Sequence, residues 1–246
     1  VSTTVHAALV PRYAQSTASA VTAVTELAPR NPNDDLLKEV LAECSGVRVS
    51  SGSQICQALI AAYDAAVEVL ARALDQRDRE TGGHSLRVME LTVKVVESIG
   101  MNEAEVRHAR WGALLHDIGK MEVPDAILFK RGDLTEEEWK IMRFHPAIAY
   151  EILQPIGFLR PALDIPCYHH EKWDGTGYPF RLKQDEIPVT ARIFAVIDVL
   201  DALTSDRPYR EAWPRSRALD YIRKQAGTHF DPEAVRAVLK VAVDAT

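Results

Sequence analysis

Leu114-Leu115-His116-Asp117-Ile118-Gly119-Lys120 is the stretch on which the reading of this chain turns. An apolar run ends there in an adjacent imidazole and carboxylate, and Lys120 follows close behind. His and Asp brought to one point suit a hard or borderline divalent cation, which accepts mixed nitrogen and oxygen ligands. Lys120 is placed as a cation for a phosphate would be. A single His-Asp pair is also an ordinary core feature, so its meaning rests on the residues that accompany it.

That company is extensive. Five of the eight histidines, His84, His116, His145, His169 and His170, fall at or near the ends of expected helices, with Glu80, Asp117 and Asp198 around them. Glu80 and His84 are four apart and share a face if the segment is helical, although Gly82 and Gly83 also allow a tight turn. Asp198 and Asp201 interrupt the apolar run from Ile193 to Leu203. A carboxylate in so apolar a helix must be paired, hydrogen-bonded or metal-bound, because an unpaired buried charge is very costly. Asp198 is the sharper candidate; Asp201 reads as a local cap or hydrogen-bonding group outside the ligand set, and His6, His108 and His229 read as surface or structural. Each of the five histidines taken alone is most simply structural. Together with three carboxylates they exceed what one metal binds, and two or three bridged cations would accommodate them.

Working outward, helix signals recur and no period-two strand pattern does. Ile55, Leu59, Ala62, Ala66, Val69 and Ala73 follow a heptad seam in a connecting helix over about residues 55–79, which either pairs with a second copy or packs on its own domain. His84–Ile99 is amphipathic and stopped by Gly100. Asn102 with Glu105 and Thr135 with Glu138 read as capping boxes, the first opening a helix through Leu115 and the second a helix toward His145. Asp164–His170 is a short helix and Val189–Leu203 a strongly apolar one, while Asp231 caps a last helix with Pro232 at its first position. The expected fold is all-α, a helical bundle over residues 55–246 with a small helical N-terminal extension. Residues 1–53, with modest helices near 14–28 and 34–44 and a linker-like Ser50-Ser51-Gly52-Ser53, carry no evident chemistry and read as a regulatory or partner-binding segment.

The 246 residues suffice for one large core. A net charge of -6 argues against a general binder of polymeric nucleic acid or anionic membrane, yet leaves room for a small anion held by local cations. Cys44, Cys56 and Cys167 form no motif and cannot all pair, so reduced thiols in a cytoplasmic setting are the simplest expectation. No apolar run approaches a membrane span and no signal-peptide pattern opens the chain.

Arg79-Glu80-Thr81-Gly82-Gly83-His84, the His116-Asp117 stretch, His145, and His169-His170-Glu171-Lys172-Trp173-Asp174-Gly175-Thr176-Gly177-Tyr178-Pro179 together resemble the HD-GYP family. The likeness continues through Asp198–Arg210 and ends in Gly227-Thr228-His229-Phe230-Asp231-Pro232, covering roughly residues 55–246. The family belongs to the HD phosphohydrolase superfamily and consists of bacterial phosphodiesterases acting on cyclic di-GMP. The resemblance implies metal ligands at Glu80, His84, His116, Asp117, His145, His169, His170 and Asp198, with Asp117 bridging. It assigns Lys120, Arg207 and Arg210 to the substrate's phosphates, and Asp117 with Lys120 to the catalytic step. The acidic Glu80 goes with the three-metal form of the family, and Phe129-Lys130-Arg131-Gly132 departs from its Asn-Lys-Pro-Gly loop.

The implied chemistry is metal-assisted hydrolysis of a phosphodiester, yielding pGpG, or GMP where a second step follows. Iron or manganese fits the mixed ligand set, with zinc an alternative. The Gly175–Pro179 loop shapes the pocket edge and can contact diguanylate cyclase or other signalling domains; Tyr178 reaches the ligand or only packs. Rival readings are a silent cyclic di-GMP receptor and a hydrolase of another cyclic dinucleotide. Oxygen chemistry at a di-iron site is disfavoured by Lys120, Arg207 and Arg210.

Overall fold

The computed structural model describes residues 49–78, 83–206 and 211–244. The helices expected within residues 1–48, together with Glu80, Arg207 and Arg210, lie outside the described residues. The chain divides into two compact units, Val1–Ala61 and Ala62–Thr246. Of the first, only the N-terminal part of one helix is described.

That helix, α1 (Val49–Asp78), takes in the Ser-Ser-Gly-Ser stretch that reads as a linker. Once apolar residues further along have nucleated a helix, extending it through Ser and Gly costs little per residue. Within the second unit, α1 turns Val67, Ala71 and Leu74 into the core and stacks Tyr63 on Phe158 at 4.0 Å. The heptad positions Ala62, Ala66, Val69 and Ala73 are exposed. Packing on its own domain therefore uses a face other than the expected seam.

α2 (His84–Ser98) and α3 (Glu103–Leu114) pack closely on each other. Both capping boxes form: Asn102 accepts from Ala104 and Glu105 N–H, and Thr135 opens α5 (Glu136–Met142), after the short α4 (Asp125–Leu128). The helix expected to run on toward His145 stops at Met142, and α6 (His145–Leu153) begins afresh with Pro146 in its first turn. Proline lacks the N–H that a continuous helix needs, but suits a new first turn. A 3₁₀ turn (Gly157–Ala162) leads to α7 (Asp164–Tyr168), and the long loop that follows ends in α8 (Val189–Thr204).

α8 is the axis of the bundle. Ile193, Phe194, Val196 and Ile197 are fully buried, and the helix packs on α2, α7, α9 (Arg215–Lys224) and α10 (Pro232–Asp244). The Asp231 carboxylate caps α10 through Glu233 N–H at 2.8 Å and also accepts from Arg192. Among the described residues there is no strand, only an isolated bridge between Ala226 and Phe230. The all-α expectation holds. No helix among the described residues is long and apolar enough to cross a membrane.

Candidate metal centre

Three helices finish one to three residues before a histidine. The last carbonyls of a helix lack a full set of partners inside it and accept from donors nearby, as Ile165 O does from the N–H of His169 as well as from its ring. His116 Nδ1 lies 2.9 Å from Ala113 O at the end of α3, and His145 Nδ1 lies 2.8 Å from Met142 O at the end of α5. His169 Nδ1 lies 3.0 Å from Ile165 O in α7. A carbonyl only accepts, so each Nδ1 carries the proton and each Nε2 is left with its lone pair outward. The same contacts that finish the helices fix the tautomer that a metal requires.

Those Nε2 atoms converge on Asp117, whose position depends on Gly119. A Cβ at Gly119 would stand 1.9 Å from His145 O, so only glycine lets the 3₁₀ turn Ile118–Glu122 press against the start of α6. Asp117 Oδ1 then lies 3.2 Å from His145 Nε2 and 3.8 Å from His169 Nε2, while Oδ2 lies 3.0 Å from His116 Nε2 and 2.7 Å from Lys120 Nζ. His145 Nε2 is also 3.4 Å from His169 Nε2. In the neutral rings these nitrogens carry no proton, and Asp117 Oδ1 is buried with no hydrogen-bond partner. Lone pairs from two imidazoles and a carboxylate facing one another in a buried pocket are mutually repulsive unless a cation lies between them. The donor set fits a divalent metal.

Two groups of candidate ligand atoms emerge, each lying within 4.8 Å of one another: Asp117, His145, His169 and His170, and separately His84, His116 and Asp198. Seven of the sequence's candidate ligands thus come together, and Glu80 lies outside the described residues. Burial and then the neighbouring imidazoles hold His169 and His170 well below the ordinary histidine pKa, so both stay neutral. Burial works to raise the Asp117 carboxyl, but its neighbours His116 and Lys120 outweigh it and hold the group well below the usual carboxylate range.

Asp201, read from sequence as a local cap or hydrogen-bonding group, does accept locally from Ser205 Oγ at 3.4 Å and also reaches across to α2. Its Oδ2 is 2.8 Å from His84 Nδ1, and Arg87 donates to both its oxygens at 2.7 and 2.9 Å. His84 Nε2 is thereby turned toward Asp198 Oδ1, 3.5 Å away. The signal was present, since Asp201 follows Asp198 by three residues on an apolar helix and so shares its face. Glu171 was passed over as well. It is buried and accepts from the N–H groups of Phe180 and Leu182, folding the following loop back over the site. Gly177 sits where a Cβ would be 2.3 Å from Lys172 N, so the loop closes only without a side chain there. Tyr178 stacks on His170 at 4.7 Å with Arg143 over its ring, and burial followed by the Asp117 charge raises its phenol. His108 tilts against Trp111, and His229 stacks on Phe230, away from both ligand groups.

An all-α bundle with histidines and an aspartate at converging helix ends, grouped so that they could hold metal ions, defines a helical domain of the His-Asp class. The HD domain family matches residues 68–234. The chain belongs to the HD domain family, and its motifs and relatives set it among the HD-GYP proteins. It is 45% identical over 173 residues to the cyclic di-GMP phosphodiesterase response regulator RpfG of Xanthomonas campestris, covering 70% of this chain and 46% of that protein. It is 40% identical over 173 residues to the 3'3'-cGAMP-specific phosphodiesterase 2 of Vibrio cholerae, covering 70% of this chain and 33% of that protein. The chain therefore spans less than half the length of these two relatives. Its fold resembles the crystal structure of a cyclic GMP-AMP specific phosphodiesterase of V. cholerae, with a TM-score of 0.58 at 17% identity over 73% of this chain and 48% of the other.

Proposed function

We propose that this domain is a metal-dependent phosphodiesterase that hydrolyses cyclic di-GMP to pGpG, or to GMP where a second step follows, in bacterial second-messenger signalling. The observation that carries the reading is the buried Asp117 carboxylate, with one oxygen turned to His145 and His169 and the other to His116 and Lys120. In this reading Asp117, His145, His169 and His170 would hold one divalent cation, and His84, His116 and Asp198 would hold a second. Glu80 would bring a third. Iron or manganese suits the mixed set, with zinc the alternative. Divalent cations bound there supply a water of lowered pKa and neutralise charge on the phosphate.

The chain's own groups do the rest. Lys120 places an ammonium beside Asp117, where negative charge gathers on phosphate oxygens. Arg207 and Arg210 grip the phosphates with forked donors, and Tyr178, stacked on His170, lines the edge of the site. The same reading places the domain in the cytoplasm, where its free cysteines Cys56 and Cys167 would stay reduced. It gives the glycine-rich loop to partner signalling domains such as a diguanylate cyclase, and leaves the exposed seam of α1 for a homodimer.

The test is protein reconstituted with Mn(II) or Fe(II), incubated with cyclic di-GMP and with cyclic GMP-AMP and followed by chromatography. Release of pGpG from the first supports the proposal. Turnover of cyclic GMP-AMP alone shifts the substrate to the mixed dinucleotide, for which the V. cholerae relative is named. Tight binding of intact cyclic di-GMP with no product would make the domain a receptor.

A further inference from the structure

Among the described residues Lys120 is held by two carboxylates, and one of them belongs to no recognised motif. Its Nζ lies 2.7 Å from Asp117 Oδ2 and 2.7 Å from Asp78 Oδ2, the last residue of α1. The Asp78 side chain is 9% exposed and that of Lys120 15%, so the contact is largely out of water. A charge pair so placed has a defined geometry, unlike a solvated one.

α1 is itself firmly seated at three levels. Val67, Ala71 and Leu74 are buried in the core. Asp64 accepts from Trp111 Nε1 at 2.7 Å and pairs with Arg110 at 2.9 Å. Arg77, next to Asp78, donates to Asp125 at 3.1 Å at the start of α4. The position of the Asp78 carboxylate is therefore set by the packing of α1 on α3 and α4, and Lys120 takes its position from Asp78.

We propose that Asp78 is the positioning residue for Lys120. It keeps the ammonium at the rim of the metal centre, beside the carboxylate the cations would share, so that it meets substrate phosphate without displacing a metal from Asp117. The seating of α1 then sets how well the site binds and turns over a phosphodiester. This inference rests on the phosphodiesterase reading above.

The test is a double-mutant cycle on the Mn(II)-loaded full chain, using Asp78→Asn, Lys120→Gln, the double variant and Asp78→Glu. Metal content and melting temperature serve as controls. Asp78→Asn is expected to lower kcat/KM about tenfold, mainly through a higher KM, with metal content unchanged. The double variant is expected to be no worse than Lys120→Gln alone, and Asp78→Glu to recover part of the loss. Equal cost of Asp78→Asn with and without Lys120, or no cost at all, overturns the proposal. Should wild type cleave bis(p-nitrophenyl) phosphate and no cyclic dinucleotide, the substrate assignment fails, and the cycle is read on that ester. Should it cleave neither, affinity for inorganic phosphate in the four proteins decides: a loss from Asp78→Asn only where Lys120 is present upholds the inference, and any other pattern overturns it.

Discussion

His84 Nδ1 and Asp201 Oδ2 lie 2.8 Å apart, joining α2 to α8 across 117 residues of sequence. Burial tends to raise the Asp201 carboxyl, yet the hydrogen bonds from His84 and Arg87 hold it below the usual carboxylate range. An ionised acceptor there keeps the proton on Nδ1 and Nε2 open toward Asp198. Asp201→Ala is expected to weaken metal binding at the His84, His116 and Asp198 group by roughly 10- to 100-fold. Metal titration of the stripped protein measures it, and an unchanged affinity would remove Asp201 from any supporting role.

His116 and Asp117 sit where the two ligand groups meet. His116→Ala or Asp117→Ala is expected to abolish hydrolysis and reduce bound metal together. Elemental analysis beside a turnover assay reads both, and a fully active variant would sink the site assignment.

Arg207 and Arg210 are assigned to phosphate and to no metal. Replacing both with Ala is expected to raise KM several-fold while metal content stays at the wild-type level. By contrast, Glu80→Ala is expected to lower metal stoichiometry without changing the melting temperature appreciably, and an unaltered metal count would take Glu80 out of the ligand set.

Gly119 meets His145 O where a Cβ would be 1.9 Å away. Gly119→Ala therefore forces the 3₁₀ turn off α6, at a cost of about 1–3 kcal/mol. The same displacement carries Asp117 away from His145. A lowered denaturation midpoint with weaker metal binding is expected; a midpoint equal to wild type would mean that the turn yields freely.

His229 provides a pH dependence away from the metal site. Burial, then the charge of Lys172, pushes its imidazole down to about 4 from the ordinary 6.5. The folded state thus stays neutral at this ring while the unfolded chain takes up a proton between those values. Stability from this residue is full above pH 6.5 and is lost as pH falls toward 4, by about 1–2 kcal/mol after allowance for its partial exposure. Urea midpoints at pH 7.5 and 4.5 measure the slope, which His229→Gln is expected to flatten.

Much of this was legible in the chain. Asn102 with Glu105, Thr135 with Glu138, and Asp231 before Pro232 mark helix starts by side chain–backbone bonds made within three residues, so local sequence contains them whole. The candidate ligand histidines stood out because they lie beside helix ends. What stayed hidden depends on partners far along the chain. Asp78 meets Lys120 42 residues away, and nothing near Asp78 marks it. α1 offers two apolar stripes, and the Ala-rich one with the cleaner heptad is the exposed one. Choosing between them requires the surface of α3, which periodicity does not contain.

The ring N–H groups of His116, His145 and His169 are already committed to backbone carbonyls three or four residues behind them. Coordination is thus prepared by the way three helices finish, before any ion arrives. A chelator should accordingly strip the protein without unravelling it, and re-added cation should be recaptured without any refolding.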